Sequence, residues 1–64
     1  MYKLTTDGFM IQRLIDNAFI PITPANTDYQ NFKMQINADE AQLEDADGNL
    51  MTAEQAKAFV ATLP

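Results

Sequence analysis

Three oxygen-bearing side chains stand at alternate positions in one short stretch: Asp45, Asp47 and Asn49. Carboxylate and amide oxygens in this spacing are the usual ligands of calcium in a helix-flanked loop. A twelve-residue calcium loop starting at Asp45 would need Gly at its sixth position and Glu at its twelfth. Those positions hold Leu50 and Ala56. The pattern therefore favours an acidic turn without a metal, with a weak calcium site as the alternative.

The residue inventory offers little for catalysis. The chain contains no His, no Cys and no Ser, so it lacks an imidazole base and the usual nucleophile pairs. Two carboxylates could act together only in a substrate cleft, for which a domain of 64 residues has little room. Gly8 and Gly48 are too far apart to form a phosphate-binding loop. We expect a protein that is not an enzyme, with no catalytic residues and no cofactor.

Acidic residues dominate the charge. Nine Asp and Glu against four Lys and Arg give a net charge of -5, which opposes binding to nucleic acid or to anionic membranes through a basic surface. Five acids crowd one short span: Asp39, Glu40, Glu44, Asp45 and Asp47. Such a cluster is usually a solvated loop. The alternative is an acidic surface that imitates nucleic acid.

Length and composition indicate one small domain over residues 1–64. A chain of this size builds a thin core, so association with a partner would add stability. The absence of Cys favours a reducing compartment. No apolar run is long enough for a signal peptide or a membrane span. We expect a soluble protein made in the cytosol.

Two prolines separate a part of the chain with strand-like patterns from a part with helical patterns. Pro21 and Pro24 cannot donate ladder hydrogen bonds, and each disfavours helix at the preceding residue. The sequence predicts an α+β fold in which a short antiparallel β-meander is followed by two amphipathic helices. The segments are a meander over 1–22, a helix over 27–38, an acidic turn region over 39–51 and a helix over 52–63.

Turn signals separate the predicted strands. Asp7-Gly8 is a strong hairpin signal, because both residues accept positive φ. Asp16-Asn17 is a second turn, because such side chains bond their own main chain. Pro21 confines the third strand to a sheet edge or to its own end. The strands are expected at 2–6, 9–15 and 18–22, with a bulge in the second as an alternative to burial on both its faces.

Helix-start signals occur twice. Thr27 with Gln30, and Thr52 with Gln55, have the spacing of a capping box. The apolar stripe of the first helix consists of Tyr29, Phe32 and Ile36, and that of the second of Ala56, Phe59, Val60 and Leu63. Between the helices, the turn at 45–49 indicates a possible small second hairpin near 42–51.

The first thirty residues resemble a segment of small proteins encoded by tailed bacteriophages and prophages, in or near tail-fibre and other virion genes. The family pattern is Y-K-L-T-x-D-G, then R-L-x-D-G-A-x-I-P, then P-x-N-x-D-Y or D-W. The matching residues are Tyr2-Lys3-Leu4-Thr5, Asp7-Gly8, Arg13-Leu14, Asp16, Ala18, Ile20-Pro21, Pro24, Asn26 and Asp28-Tyr29. The chain departs from the pattern in a longer segment before Arg13 and in Asn17, where the family has Gly.

The resemblance implies a phage origin and transfers no binding or catalytic residue. Together with the thin core and the missing active-site residues, it favours a noncatalytic interaction or virion-associated, tail-related module, whose partner is another phage protein or a second copy. The protein would be made in the host-cell cytoplasm and then either carried in the virion or discarded during assembly. The alternative is a phage effector that inhibits a host protein through an acidic, nucleic-acid-like surface. A calcium-stabilised domain is a third interpretation.

Overall fold

A computed structural model describes all residues, 1–64. It confirms the predicted α+β class: one four-stranded sheet and two helices. Along the sheet the strand order is β3-β2-β1-β4. In chain order the elements are β1 (Tyr2–Leu4), β2 (Met10–Arg13), β3 (Ala18–Pro21), α1 (Thr27–Asn37), β4 (Leu43–Glu44) and α2 (Ala53–Val60).

The sheet contains the predicted meander and one strand more. β1 pairs antiparallel with β2, and β2 with β3. β4 pairs parallel with β1, placing Leu43 beside Tyr2, which the sequence did not predict. The predicted second hairpin is reduced to one antiparallel bridge between Glu44 and Leu50, beside a hydrogen bond from Met51 N to Leu43 O of 2.9 Å.

The second strand is shorter than predicted. Instead of 9–15 it spans Met10–Arg13, the four residues that pair with β3. Pairing runs without a break from Tyr2–Arg13 to Leu4–Ile11, so there is no bulge. Phe9 and Ile15 therefore lie in the flanking turns.

The two turns use different geometry. Of the predicted Asp7-Gly8 pair only Gly8 has positive φ, 75°, so the connection takes five residues, 5–9, instead of a two-residue turn. The second turn follows the prediction. Asn17 has φ of 58°, and Asp16 Oδ1 accepts a hydrogen bond from Ala18 N at 3.1 Å.

The core lies between the sheet and the two helices. Phe32 is fully buried, and its ring meets that of Tyr2 edge to face, with centroids 4.9 Å apart. Tyr2 Oη donates to Gln35 Oε1 at 2.7 Å, and no buried polar side-chain atom lacks a partner. The buried set is Tyr2, Ile11, Ile20, Tyr29, Phe32, Ile36, Leu43, Ala56 and Val60. It includes the whole predicted stripe of α1.

One predicted helix cap is wrong and one is confirmed, although α1 begins at Thr27 as predicted. Asn26, not Thr27, is the N-cap of α1: its backbone is extended, and its side chain accepts from Tyr29 N at 3.0 Å. Gln30 bonds Pro24 O instead of completing a capping box. Asn caps helices at least as well as Thr, which explains the one-residue shift. At α2, Thr52 forms the predicted capping box with Gln55; the helix ends at Val60, and the last residues form a turn.

Alanine substitutions at neighbouring positions separate the two assignments of the first cap. Asn26→Ala is expected to lower the free energy of unfolding by about 1 kcal/mol, because the amide of Tyr29 loses its acceptor. Thr27→Ala should change it by less than about 0.5 kcal/mol, since the Thr27 side chain is exposed and makes no hydrogen bond. Urea denaturation followed by circular dichroism measures both. A larger loss from Thr27→Ala would contradict the structure.

Candidate interaction surface

One face of the sheet is left uncovered. The helices pack on the face that carries Ile11 and Ile20. Because side chains alternate along a strand, the neighbours of these residues point to the other side. We call this side the outer face; it consists of Lys3, Gln12, Phe19, Pro21 and Glu44. Strand register places Phe19 beside Gln12, Gln12 beside Lys3, and Lys3 beside Glu44.

Large apolar side chains are exposed in β3, in the turns that flank β2 and at the start of the chain. Phe19, within β3, is 58% exposed. Phe9 and Ile15, in the turns at the two ends of β2, are 76% and 86% exposed. Met1, which precedes β1, is also exposed. Single exposed apolar residues are ordinary, so the side chain that supports an interaction surface is Phe19, which lies on the uncovered face itself.

Both edges of the sheet offer few free backbone groups to a further strand. Ile22 N donates to Phe9 O at 3.0 Å, so the backbone groups of Ile22 face β2. Those of Pro21, one residue earlier, face the other way, and the Pro21 nitrogen carries no hydrogen to donate. On the other side of β4, Asp45 N donates to Asn49 O at 2.9 Å and Met51 N to Leu43 O. A partner would therefore dock on the face of the sheet and not extend it.

The calcium candidates form a hydrogen-bonded turn. Asp45 Oδ1 accepts from the backbone N–H groups of Asp47 and Asn49, each at 2.9 Å. The N–H of Asn49 is the main reason that the pKa of Asp45 lies below its ordinary value. The side chains of Asp47 and Asn49 are exposed, and no three acidic side chains come together in a group that could hold a metal ion. The arrangement is that of the acidic turn favoured by the sequence.

The lowered pKa of Asp45 predicts acid sensitivity. Its ionised form is preferred in the folded state, so the stabilisation is complete above the ordinary value of 3.8 and is lost as pH falls through the lower native pKa. Asp45→Asn should therefore destabilise the protein at neutral pH and flatten the decline below pH 3.8. Urea denaturation at a series of pH values measures both effects. An unchanged pH profile in the variant would contradict the role of this carboxylate.

The acidic cluster does not form one row of free charges. Asp39, which has φ of 58° just after α1, binds Lys57 Nζ with its Oδ2 at 2.9 Å. Asp45 is occupied by the amides of its own loop. Glu40, Glu44 and Asp47 form no ion pair. Two of the five carboxylates in the cluster thus have partners within the chain, which weakens the nucleic-acid-like interpretation.

Two clefts lie at opposite ends of α2. The first, of about 270 Å³, has Asp39 as its one titratable lining residue, and that carboxylate already pairs with Lys57. The second, of about 290 Å³, has no titratable lining residue. We call it the hairpin cleft; its apolar lining is Leu4, Met10, Ile22, Ala46, Phe59 and Leu63. Neither cleft brings an acid and a base together for catalysis.

No family model, curated protein or solved structure matches this chain. Neither helix is long and apolar enough to cross a membrane. The exposed surfaces of the chain are therefore the basis for its proposed function. The sequence analysis did not identify Phe19 as a candidate. A signal exists, because the adjacent side chains of Phe19 and Ile20 in one strand point to opposite faces of the sheet, and one of the two must therefore lie on the face without helices.

Proposed function

We propose that this protein is a noncatalytic, phage-encoded interaction module that binds another phage protein through the outer face of its sheet. The observation that carries the proposal is Phe19, a 58% exposed aromatic side chain on an uncovered sheet face. Aromatic residues are enriched at the energetic centres of protein interfaces. Phe9 and Ile15, in the turns at the two ends of β2, are exposed as well.

The assignment to phage rests on the resemblance of the first thirty residues to phage and prophage proteins. That resemblance favours a tail-related component, made in the host cytoplasm and carried into the virion. The absence of His, Cys and Ser, and clefts without an acid–base pair, support a noncatalytic role. A thin core that gains stability from a bound partner fits the same role.

Particle composition and direct binding test the proposal together. Mass spectrometry of purified particles should detect the chain at a fixed ratio to the tail proteins. The purified protein should bind one of those proteins in a pull-down, and Phe19→Glu should abolish that binding. The proposal fails if the chain is absent from particles and binds no phage structural protein.

The alternative, inhibition of a host protein by an acidic surface, draws on the three acids of the cluster that form no ion pair. Charge reversal at Glu40, Glu44 and Asp47 tests it. If host toxicity or competition with DNA survives the reversal, the inhibitor does not act as a nucleic-acid mimic.

A further inference from the structure

The hairpin cleft has a size and an apolar lining that suit a side chain of a partner molecule. Leu4 contributes from β1, Ile22 from the segment that follows β3, Ala46 from the acidic loop, and Phe59 and Leu63 from α2 and the turn that follows it. Its volume of about 290 Å³ lies at the lower limit of small-molecule sites. The space suits one or two apolar side chains better than a cofactor.

Three acidic residues adjoin the lining of the cleft, and we call them its rim; Asp7 Oδ1 accepts a hydrogen bond from the hydroxyl of Thr5, a lining residue, at 2.6 Å. Asp7 precedes Gly8, which is part of the lining, and Asp45 and Asp47 flank Ala46. None of these three carboxylates forms an ion pair, since all ion pairs of the chain involve Arg13 or Lys57.

The charge of the rim is only partly offset. Lys3 reaches the acidic loop, where its Nζ would lie 4.0 Å from a Cβ added at Gly48. A hydrogen bond from the Thr5 hydroxyl lowers the pKa of Asp7, and backbone N–H groups lower that of Asp45, so both stay ionised in mild acid. One ammonium against three carboxylates leaves the rim negative.

We propose that the hairpin cleft binds a short basic segment of a partner protein, with an apolar side chain in the cleft and flanking Lys or Arg residues against Asp7, Asp45 and Asp47. The proposal rests on the proposed function, binding to other proteins, and places a second contact away from Phe19. Charge complementarity identifies the occupant. A second copy fits poorly, because each copy has a net charge of -5 and only four scattered basic residues.

A synthetic peptide with a Leu-Phe centre and two lysines at each end probes the cleft. In NMR titrations of the isotope-labelled protein we expect the amide signals of Gly8, Ala46 and Leu63 to shift, and that of Phe19 to stay in place. A peptide with Ala-Ala at its centre, or with glutamates at its ends, should bind about tenfold more weakly or not at all.

A matched pair of protein variants locates the charge effect. Asp47→Lys should weaken peptide binding about tenfold, because it places a cation on the rim. Glu40→Lys makes the same change in net charge at an exposed residue that does not line the cleft, and should leave binding unchanged. Neither side chain makes a hydrogen bond or an ion pair, so both variants should fold.

Three results would overturn the inference: no signal shift with millimolar peptide, equal binding of the Ala-Ala peptide, or shifts confined to residues outside the cleft. Shifts at Gly8 and Ala46 that follow protein concentration without peptide would assign the cleft to a second copy and also overturn it. Phe19→Glu separates the two proposals. It should leave peptide binding unchanged, so failure of one contact does not imply failure of the other.

Discussion

Replacing Phe32 with Ala is expected to remove between about a third and all of the folding free energy. The side chain is fully buried, edge to face with Tyr2 and stacked on Tyr29 with centroids 6.5 Å apart. Truncation of a buried Phe to Ala costs about 3–5 kcal/mol. At about 0.05–0.15 kcal/mol per residue, the whole domain is stable by only about 3–10 kcal/mol. Circular dichroism in urea should show a lost or greatly weakened unfolding transition.

Met34→Ala is the matched control, in the same helix and two residues away. Met34 is 66% exposed, so its truncation should change the free energy of unfolding by less than about 0.5 kcal/mol. A Phe32→Ala variant that unfolds within 1 kcal/mol of the natural protein would contradict the proposed core.

Phe19→Glu is expected to weaken binding to the proposed phage partner about thirtyfold or more. Truncating or charging an aromatic residue at the centre of an interface typically costs at least about 2 kcal/mol. The fold should survive, because the Phe19 side chain is mostly exposed and its position on an edge strand also accepts polar residues. Isothermal titration calorimetry against the partner measures the loss, and circular dichroism confirms the fold.

Met34→Glu again provides the control. It adds the same charge at a residue of similar exposure on α1. Binding should be unchanged within about twofold if the outer face is the interface. Equal losses for the two variants would indicate a general charge effect and not a contact at Phe19.

Much of the fold could be predicted because its signals are local. The turn at Asp16-Asn17, the edge position of Pro21 and the stripe of Tyr29, Phe32 and Ile36 each depend on a few neighbouring residues. The first cap was misplaced by one residue because Asn26 and Thr27 both accept the role. Which of the two residues caps the helix depends on the backbone conformation after the turn at Pro24 and not on the residue types alone.

The fourth strand could not be predicted from its own residues. Leu43–Glu44 is two residues long, and it pairs with β1 only because α1 returns the chain to that side of the sheet. The candidate site at Phe19 could not be predicted for the same reason, since it also depends on the tertiary structure. Whether Phe19 or Ile20 faces solvent depends on which face the helices cover, and alternation alone does not decide it.

The most direct test of the outer face is photo-crosslinking in cells that produce the phage. A benzoylphenylalanine residue at position 19 should crosslink to one phage structural protein, whereas the same residue at position 34 should not. Crosslinks from position 34 alone, or from neither position, would contradict the claim that the uncovered side of the sheet is the interaction surface.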